Sequence, residues 1–504
     1  MKVAKILSFF LAMVMLLSVM LVACGDDDGT NNGGGSVIVE TEEKDQGKQY
    51  DAEIKNLNGH EFRFYSREST QAHLTSHEIY AEAPNGEKIN DAVFQRNAQL
   101  AEKYNCSITE EKSKDIAKSV REPLQAGEYV ADFLFGTAQN MRSLAAANLL
   151  ADYSDLSNIN LQKDWWDKNA QQGLNVGGKI FFITGDAATL DDRAAWIMYY
   201  NREFIEQYKE DLNLYDEVRK GNWTIDLMYE LVTNTWKEID GQEGLTANVD
   251  RFGYITEGTT SWFHVNACNV TVSRISSSGQ FEIPEQPKKD FLDVMEKLRP
   301  LLTTQYRLVS DNGTYFRKGL GTFYACNLGT AMNNGNTTIP LGYLPMPKLN
   351  AEQDDYYNGV SFAQVGVFAI PTTVDNGEDW ETNGFTSGQE QCAYFLDAFA
   401  YYSMNILTPA FYDEVLTKQA VRDAESVEML EIALKNKVYD PVIGYNFGKM
   451  LNMFNEVTTP TGVTNSGLPG SDANYDTLVS NYTSKVEAAR KALQNYIKYI
   501  NTEA

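Results

Sequence analysis

Residues Gly177–Phe204, GGKIFFITGDAATLDDRAAWIMYYNREF, set two apolar runs on either side of a polar loop. Ile180–Ile183 and Trp196–Tyr200 are short, β-branched and aromatic, the composition of buried strands. Thr184–Arg193 between them carries three aspartates, two threonines and an arginine, which is too polar for a core. If each run joins a different sheet, the chain crosses here from one α/β lobe to another, and the loop lies at the mouth between them. Asp186, Asp191, Asp192 and Arg193 are then candidates to bond ligand hydroxyls, and Trp196 offers an aromatic face.

At the start of the chain, Lys2 and Lys5 precede the apolar run Ile6–Val22, followed by small residues and Cys24. This is the pattern of an export signal, residues 1–23, and the run is at the short end for spanning a bilayer. Leu21-Val22-Ala23-Cys24 resembles the bacterial lipobox, which implies a diacylglycerol on Cys24 and a chain tethered to the outer face of the cytoplasmic membrane. Residues 24–50 are rich in Gly, Asn and acidic side chains, so they read as a solvated linker, and Asp26–Asp28 as solvated charge.

Roughly 450 residues remain, more than one hydrophobic core normally supports, so two lobes are expected. The formal charge is −26, and without Lys2 and Lys5 it is −28. Such a surface repels phosphate backbones, which excludes nucleic acid and disfavours anionic ligands. Cys106, Cys268, Cys326 and Cys392 lack any metal or redox spacing; they read as buried thiols, with two disulfides as the alternative in an exported chain.

Glu61–Tyr65 alternates as a half-buried strand and ends in the polar loop Ser66–Thr70, where Ser66 and Arg67 are candidate contacts. Val93, Leu100 and Tyr104 mark one face of a helix over Asn90–Tyr104, with Asn90 and Asp91 as caps. Cys106–Thr109 follows as a strand, so the order favours a parallel βαβ unit. Gly136–Asn140 sits just past another strand, which makes Gln139 and Asn140 candidates as well.

Ile89–Ile108, INDAVFQRNAQLAEKYNCSI, resembles a helix segment of the extracellular solute-binding lipoproteins of carbohydrate ABC importers, family 1 type. DFLFGTAQN at Asp132–Asn140, LLADYSDL at Leu149–Leu156, DWWDKN at Asp164–Asn169 and the GGKIFFITGD crossing resemble the same family. The resemblance implies a two-lobed α/β fold of the periplasmic-binding-protein type II, each lobe a mixed sheet flanked by helices. It places 51–190 and 316–355 mainly in lobe 1, and 191–315 and 356–504 mainly in lobe 2. It implies a monomer with no cofactor, a saccharide ligand held between the lobes, and ABC permease subunits as partners.

Glu203–Tyr229 is helical in pattern, with a break at Asn222–Thr224. Asp240–Asp250 lacks the oxygens of a calcium loop at Gln242 and Gly244, so no metal is expected. Thr259–Asn266, read as extended, puts Trp262 and His264 on one side, in a region that lines the sugar cleft of the resembled family. Phe291, Val294, Met295 and Leu298 form the apolar face of a helix. Phe316–Met332 resembles the family's return crossing, with Tyr324 and Asn327 as candidates, and Ser361 lies near the start of a strand over Gly359–Pro371. Trp165 and Trp166 point opposite ways if extended and read as core. Trp196, Trp262 and Tyr324 would stack on sugar rings.

An enzyme of another class, a lipid-anchored glycan hydrolase, would draw its carboxylate pair from Asp186, Asp191 and Asp192. The chain contains no Gly-x-Ser-x-Gly, His-Glu-x-x-His or Walker A pattern, and the reading is a binder. A peptide or amino-acid ligand is the alternative within that class.

Overall fold

A computed structural model describes residues 50–502 apart from 70–74, 258–259, 276–280, 284–286, 310–312, 332–338, 377–378, 419–423 and 451–471. The signal segment and Cys24 lie outside the described residues, as does 24–49 of the expected linker. Among those described, no helix is long and apolar enough to cross a membrane.

Two mixed sheets flanked by helices organise the unit Ile54–Ala504, as the resemblance implied. In the first, β1 (His60–Arg67) pairs in parallel with β2 (Cys106–Ser113) and β3 (Phe133–Thr137). Phe62, Phe64 and Ser66 alternate inward along β1, so the strand runs two residues into the segment expected to be loop. The intervening helix, Lys88–Tyr104, buries Ile89, Val93, Arg96, Leu100 and Tyr104 at helical spacing. Its N-cap is Glu87 rather than Asn90 or Asp91, and Asp91 instead accepts from the Asn85 N–H at 2.8 Å.

The second sheet takes β4 (Trp196–Asn201), β5 (Phe252–Thr256), β8 (Arg307–Val309), β9 (Gly321–Asn327) and β10 (Leu341–Leu344). The short strands β6 (Arg274–Ile275) and β7 (Phe281–Glu282) pair only with each other, while β11 (Asn358–Gly359) pairs with β13 (Lys437–Val438). β12 (Gly366–Ala369) closes the first sheet, antiparallel to β3. The sheet membership of the later strands therefore reverses the expected lobes: β9 and β10, within 316–355, belong to the second sheet, and β12, after 356, to the first. Pairing across more than a hundred residues decides this, and no local pattern encodes it.

The opening stretch does cross between sheets. Ile183 bridges Phe368 in β12, and Trp196 starts β4. Ile180–Ile183 makes only that single bridge, so it is an extended edge rather than a full strand.

The helix Gly388–Lys418 covers the first sheet, with Phe395 stacked on Phe62 at 3.7 Å and Phe399 on Phe64 at 5.3 Å. Helices Arg202–Tyr208, Leu214–Arg219 and Ile225–Thr235 follow β4, with Thr224 capping the last at the expected break. Phe291, Val294, Met295 and Leu298 are buried in the helix Pro287–Thr303. The terminal helix Asp472–Thr502 lays Tyr482 on Phe291, ring centroids 3.8 Å apart. The four cysteines of the described residues are free and buried. Trp165 and Trp166 are core residues but do not diverge: both indole N–H groups donate to Asp397 Oδ1 at 2.8 Å.

Candidate functional site

Both sheets aim the C-terminal ends of their parallel strands at the same crossing segments. On the first side, Arg67 at the end of β1 donates from Nη1 to the Ala363 carbonyl at 3.3 Å, and burial lowers its pKa. Past the end of β3, the Ala138 and Gln139 N–H groups donate to the carbonyls of Val365 and Phe362. On the second side, Asn327 ends β9 opposite Trp196, and Ala195 bridges Val360. Open α/β sheets bind ligands at such ends.

The polar loop is more buried than its composition suggests. Thr184, Thr189, Asp191 and Arg193 are all at most 4 % exposed, because each meets a partner brought from elsewhere in the chain. Thr184 Oγ1 donates to the Gly366 carbonyl at 2.8 Å. Thr189 and Arg193 both converge on Glu78, with Arg193 Nη2 at 2.6 Å, so Arg193 ties the loop to the first lobe. Asp186 accepts from Thr408 Oγ1 at 3.1 Å.

Asp191 and Asp192 hold the ammonium of Lys437 at 2.7 Å each, and Asp167 joins them at 2.8 Å. Tyr412 donates to Asp192 at 3.1 Å and Tyr439 to Asp167 at 3.0 Å. Burial works against the Lys437 charge, but the three carboxylates outweigh it and keep its pKa well above the usual lysine range. Burial pushes Asp191 well up, helped by the like charges of Asp192 and Asp167. Burial also opposes ionisation of Asp167, but Lys437, the Ala170 N–H and Tyr439 prevail and lower it. Asp167 and Lys437 are not legible as site residues in the sequence, where their only signals are single charges in otherwise ordinary segments.

Beside this cluster lies a cavity of 210 Å³ lined by Asn169 and Gln172 from the helix Lys168–Leu174, by Asn269, Thr271 and Ser273 beyond the helix Thr260–Ala267, and by Tyr357 and Lys437 at the β11–β13 pair. Its lining is amide and hydroxyl in character. Arg274, also at its rim, is occupied by Glu282 at 3.1 Å.

The aromatic candidates divide between two faces of the second sheet. Trp196 stacks on Phe263, centroids 3.9 Å apart and planes 9° apart, in the same core as Trp262. Tyr324 packs in the core on the other face with Tyr199 and Phe316 and donates to Glu257 at 2.7 Å. The three aromatics therefore do not form one platform. Trp262 and His264 lie on the helix Thr260–Ala267, not an extended run; all eight of its residues are buried, which erases the amphipathic signal. Ser66 donates to Glu110, and Asn327 Oδ1 accepts from the Thr330 N–H at 2.9 Å. Gln139 is exposed in the first turn of the helix Ala138–Ala145, where Thr137 Oγ1 caps the Asn140 N–H. Ser361 is half-buried, its N–H on the Ala194 carbonyl at 3.1 Å. Two deeply buried polar atoms here make no hydrogen bond, Trp196 Nε1 and Asn358 Oδ1, although Asn358 Nδ2 is held by Trp196's own carbonyl.

Asp250 accepts from the N–H groups of Ile239 and Thr246 at 2.6 Å each, so the 240–250 loop is closed by its own carboxylate.

No family profile and no curated protein matches the chain. Among solved structures, it is similar to an ABC substrate-binding protein from Listeria monocytogenes in complex with cycloalternan, at 10 % identity and a TM-score of 0.49, over 88 % of this chain and 99 % of that one.

Proposed function

We propose that this chain is an exported solute-binding protein, tethered by a lipid on Cys24, that captures a sugar or oligosaccharide between its two lobes and delivers it to ABC permease subunits. The observation that carries the reading is the convergence of both sheets' strand ends on the crossing segments 184–196 and 358–365. A ligand held there makes contacts that neither lobe supplies alone, so it shifts the population towards the closed form. Ser66, Arg67, Gln139, Asn140, Asp186, Trp196, Trp262, Asn327 and Ser361 remain proposed contacts, whereas Tyr324, in the core on the opposite face and bound to Glu257, does not. Asn169, Gln172, Thr271 and Tyr357 join them.

A neutral, hydroxyl-rich ligand suits the amide-rich cavity, whose two cations are already paired, Lys437 with three aspartates outside the lining and Arg274 with Glu282. The unsatisfied Trp196 Nε1 and Asn358 Oδ1 are groups that hydroxyls would satisfy. Binding is favoured over hydrolysis because Asp191 and Asp192 both bind the Lys437 ammonium, which leaves Asp186 without a second uncommitted carboxylate among the three candidates.

The test is a thermal-shift screen of the full chain against monosaccharides, oligosaccharides and short peptides, with product analysis of any hit. A ligand at a hundred times its dissociation constant adds about 2.7 kcal/mol. An intact saccharide supports the proposal, a cleaved one replaces it with a hydrolase, and a peptide hit moves the ligand class. Labelling with radioactive palmitate, lost in Cys24→Ser, tests the anchor.

A further inference from the structure

The cleft lies at the C-terminal ends of the first sheet's strands. At the opposite, N-terminal edge, about 23 Å away along the eight residues of β1, the structure has a cavity of 460 Å³. That volume falls within the roughly 300–1,000 Å³ of small-molecule sites. None of the proposed cleft contacts lines it.

Two aromatic side chains, Tyr129 and Trp380, line it, each half-buried. Between the start of β1 and the start of β3 lie His60 and Asp132. Asp132 is 3 % exposed and accepts through Oδ2 from the Arg63 N–H at 2.8 Å and from Tyr129 OH at 2.9 Å. Its other oxygen has only Cys392 Sγ at 3.8 Å and His60 Nε2 at 3.7 Å. The histidine nitrogen is therefore beyond hydrogen-bond reach, and it is buried with no hydrogen-bond partner. Gln391, 2 % exposed, accepts through Oε1 from Asn383 and presents its amide to the lining. An under-satisfied imidazole, carboxylate oxygen and amide against two aromatic walls leave polar atoms that a bound ligand would complete.

The charges set its class. Arg63 is paired with Glu61 at 2.8 Å, and Asp379 adds a further exposed carboxylate to the rim. The balance repels phosphates and carboxylates, and no cation is left unpaired to receive them. Aromatic faces together with planar amide and carboxylate groups suit the C–H faces and paired hydroxyls of a sugar. We infer that the N-terminal edge of the first sheet carries a second binding site, separate from the cleft, for a small neutral saccharide.

The experiment titrates the full chain, in detergent micelles, with maltose, cellobiose, sucrose and lactose, by calorimetry and saturation-transfer NMR. At least one should bind, with an affinity that falls about tenfold in Trp380→Ala and is largely kept in Trp380→Phe. Arg63→Ala, at an exposed position where folding is not at stake, should weaken it as well, because its side chain lines the cavity over the Tyr129 ring, and thermal melts identify any variant that fails to fold. Absence of binding by all four disaccharides overturns the inference. So does a disaccharide whose affinity is indifferent to both Trp380→Ala and Arg63→Ala, although that outcome leaves the cleft reading intact. Inorganic phosphate or choline binding that is lost in the same variants overturns the neutral class.

Discussion

Lys437 Nζ stands 2.7 Å from Asp191 Oδ2, across 246 residues of sequence. Asp191 belongs to the first crossing and Lys437 to the β13 strand that pairs beside the second. One ammonium thus joins two segments that run between the two sheets, and the Tyr412 contact brings the far end of the helix Gly388–Lys418 to the same point.

Lys437→Met should therefore be strongly destabilising. It leaves three carboxylates within the protein without their counter-ion, a loss of about 3–5 kcal/mol for a broken buried pair. Urea unfolding measures it, and a variant within about 1 kcal/mol of the parent would show that the cluster does not clamp the crossings.

A second expectation concerns Asp397, whose single oxygen serves both Trp165 and Trp166. Asp397→Ala orphans two buried indole donors, at about 1–3 kcal/mol each. Asp397→Asn keeps an acceptor oxygen and should recover at least half of that loss. Equal denaturation midpoints for the two variants would contradict the shared-acceptor account.

His264 makes a pH prediction. Burial, aided by Arg307, lowers its pKa from 6.5 to about 3, and its Nε2 lies 2.7 Å from Tyr254 OH. The folded state holds the ring neutral while the unfolded chain takes up a proton. Its contribution is therefore complete above pH 6.5 and is lost as the pH falls towards 3. Between pH 7 and 4 the stability advantage over His264→Gln should shrink by about 3 kcal/mol. Urea titrations at pH 7, 5 and 4 read this directly, and a constant difference would exclude it.

Gly253 in β5 carries a steric prediction. A Cβ there would lie 2.0 Å from the Val232 carbonyl oxygen, so the helix Ile225–Thr235 rests directly on the strand's backbone. Gly253→Ala must push the helix off the sheet, at about 1–3 kcal/mol. An unchanged melting temperature would mean that the helix is free to shift.

Local patterns made much of the fold legible. Phe62 and Phe64 alternate as a strand must, and Val93, Leu100 and Tyr104 repeat as a helix must. Arg96 on that same helical face was not legible: a buried guanidinium needs the Glu78 and Ile79 carbonyls and the Phe399 ring around it, and all come from other segments. Trp262 was misread for the opposite reason, since a helix buried all round shows no period.

By itself the sequence determined that the chain crosses between two sheets near 184–195, because an apolar run, a polar loop and a second apolar run are properties of neighbouring residues. It also determined the acidic balance and the βαβ start. Only the tertiary structure decided that β9 and β10 stay in the second sheet, that Arg193 answers Glu78, and that Asp167, Asp191 and Asp192 share Lys437. Strand pairing and buried ion pairs are made between residues far apart in the chain, and their energy depends on which groups are removed from water together.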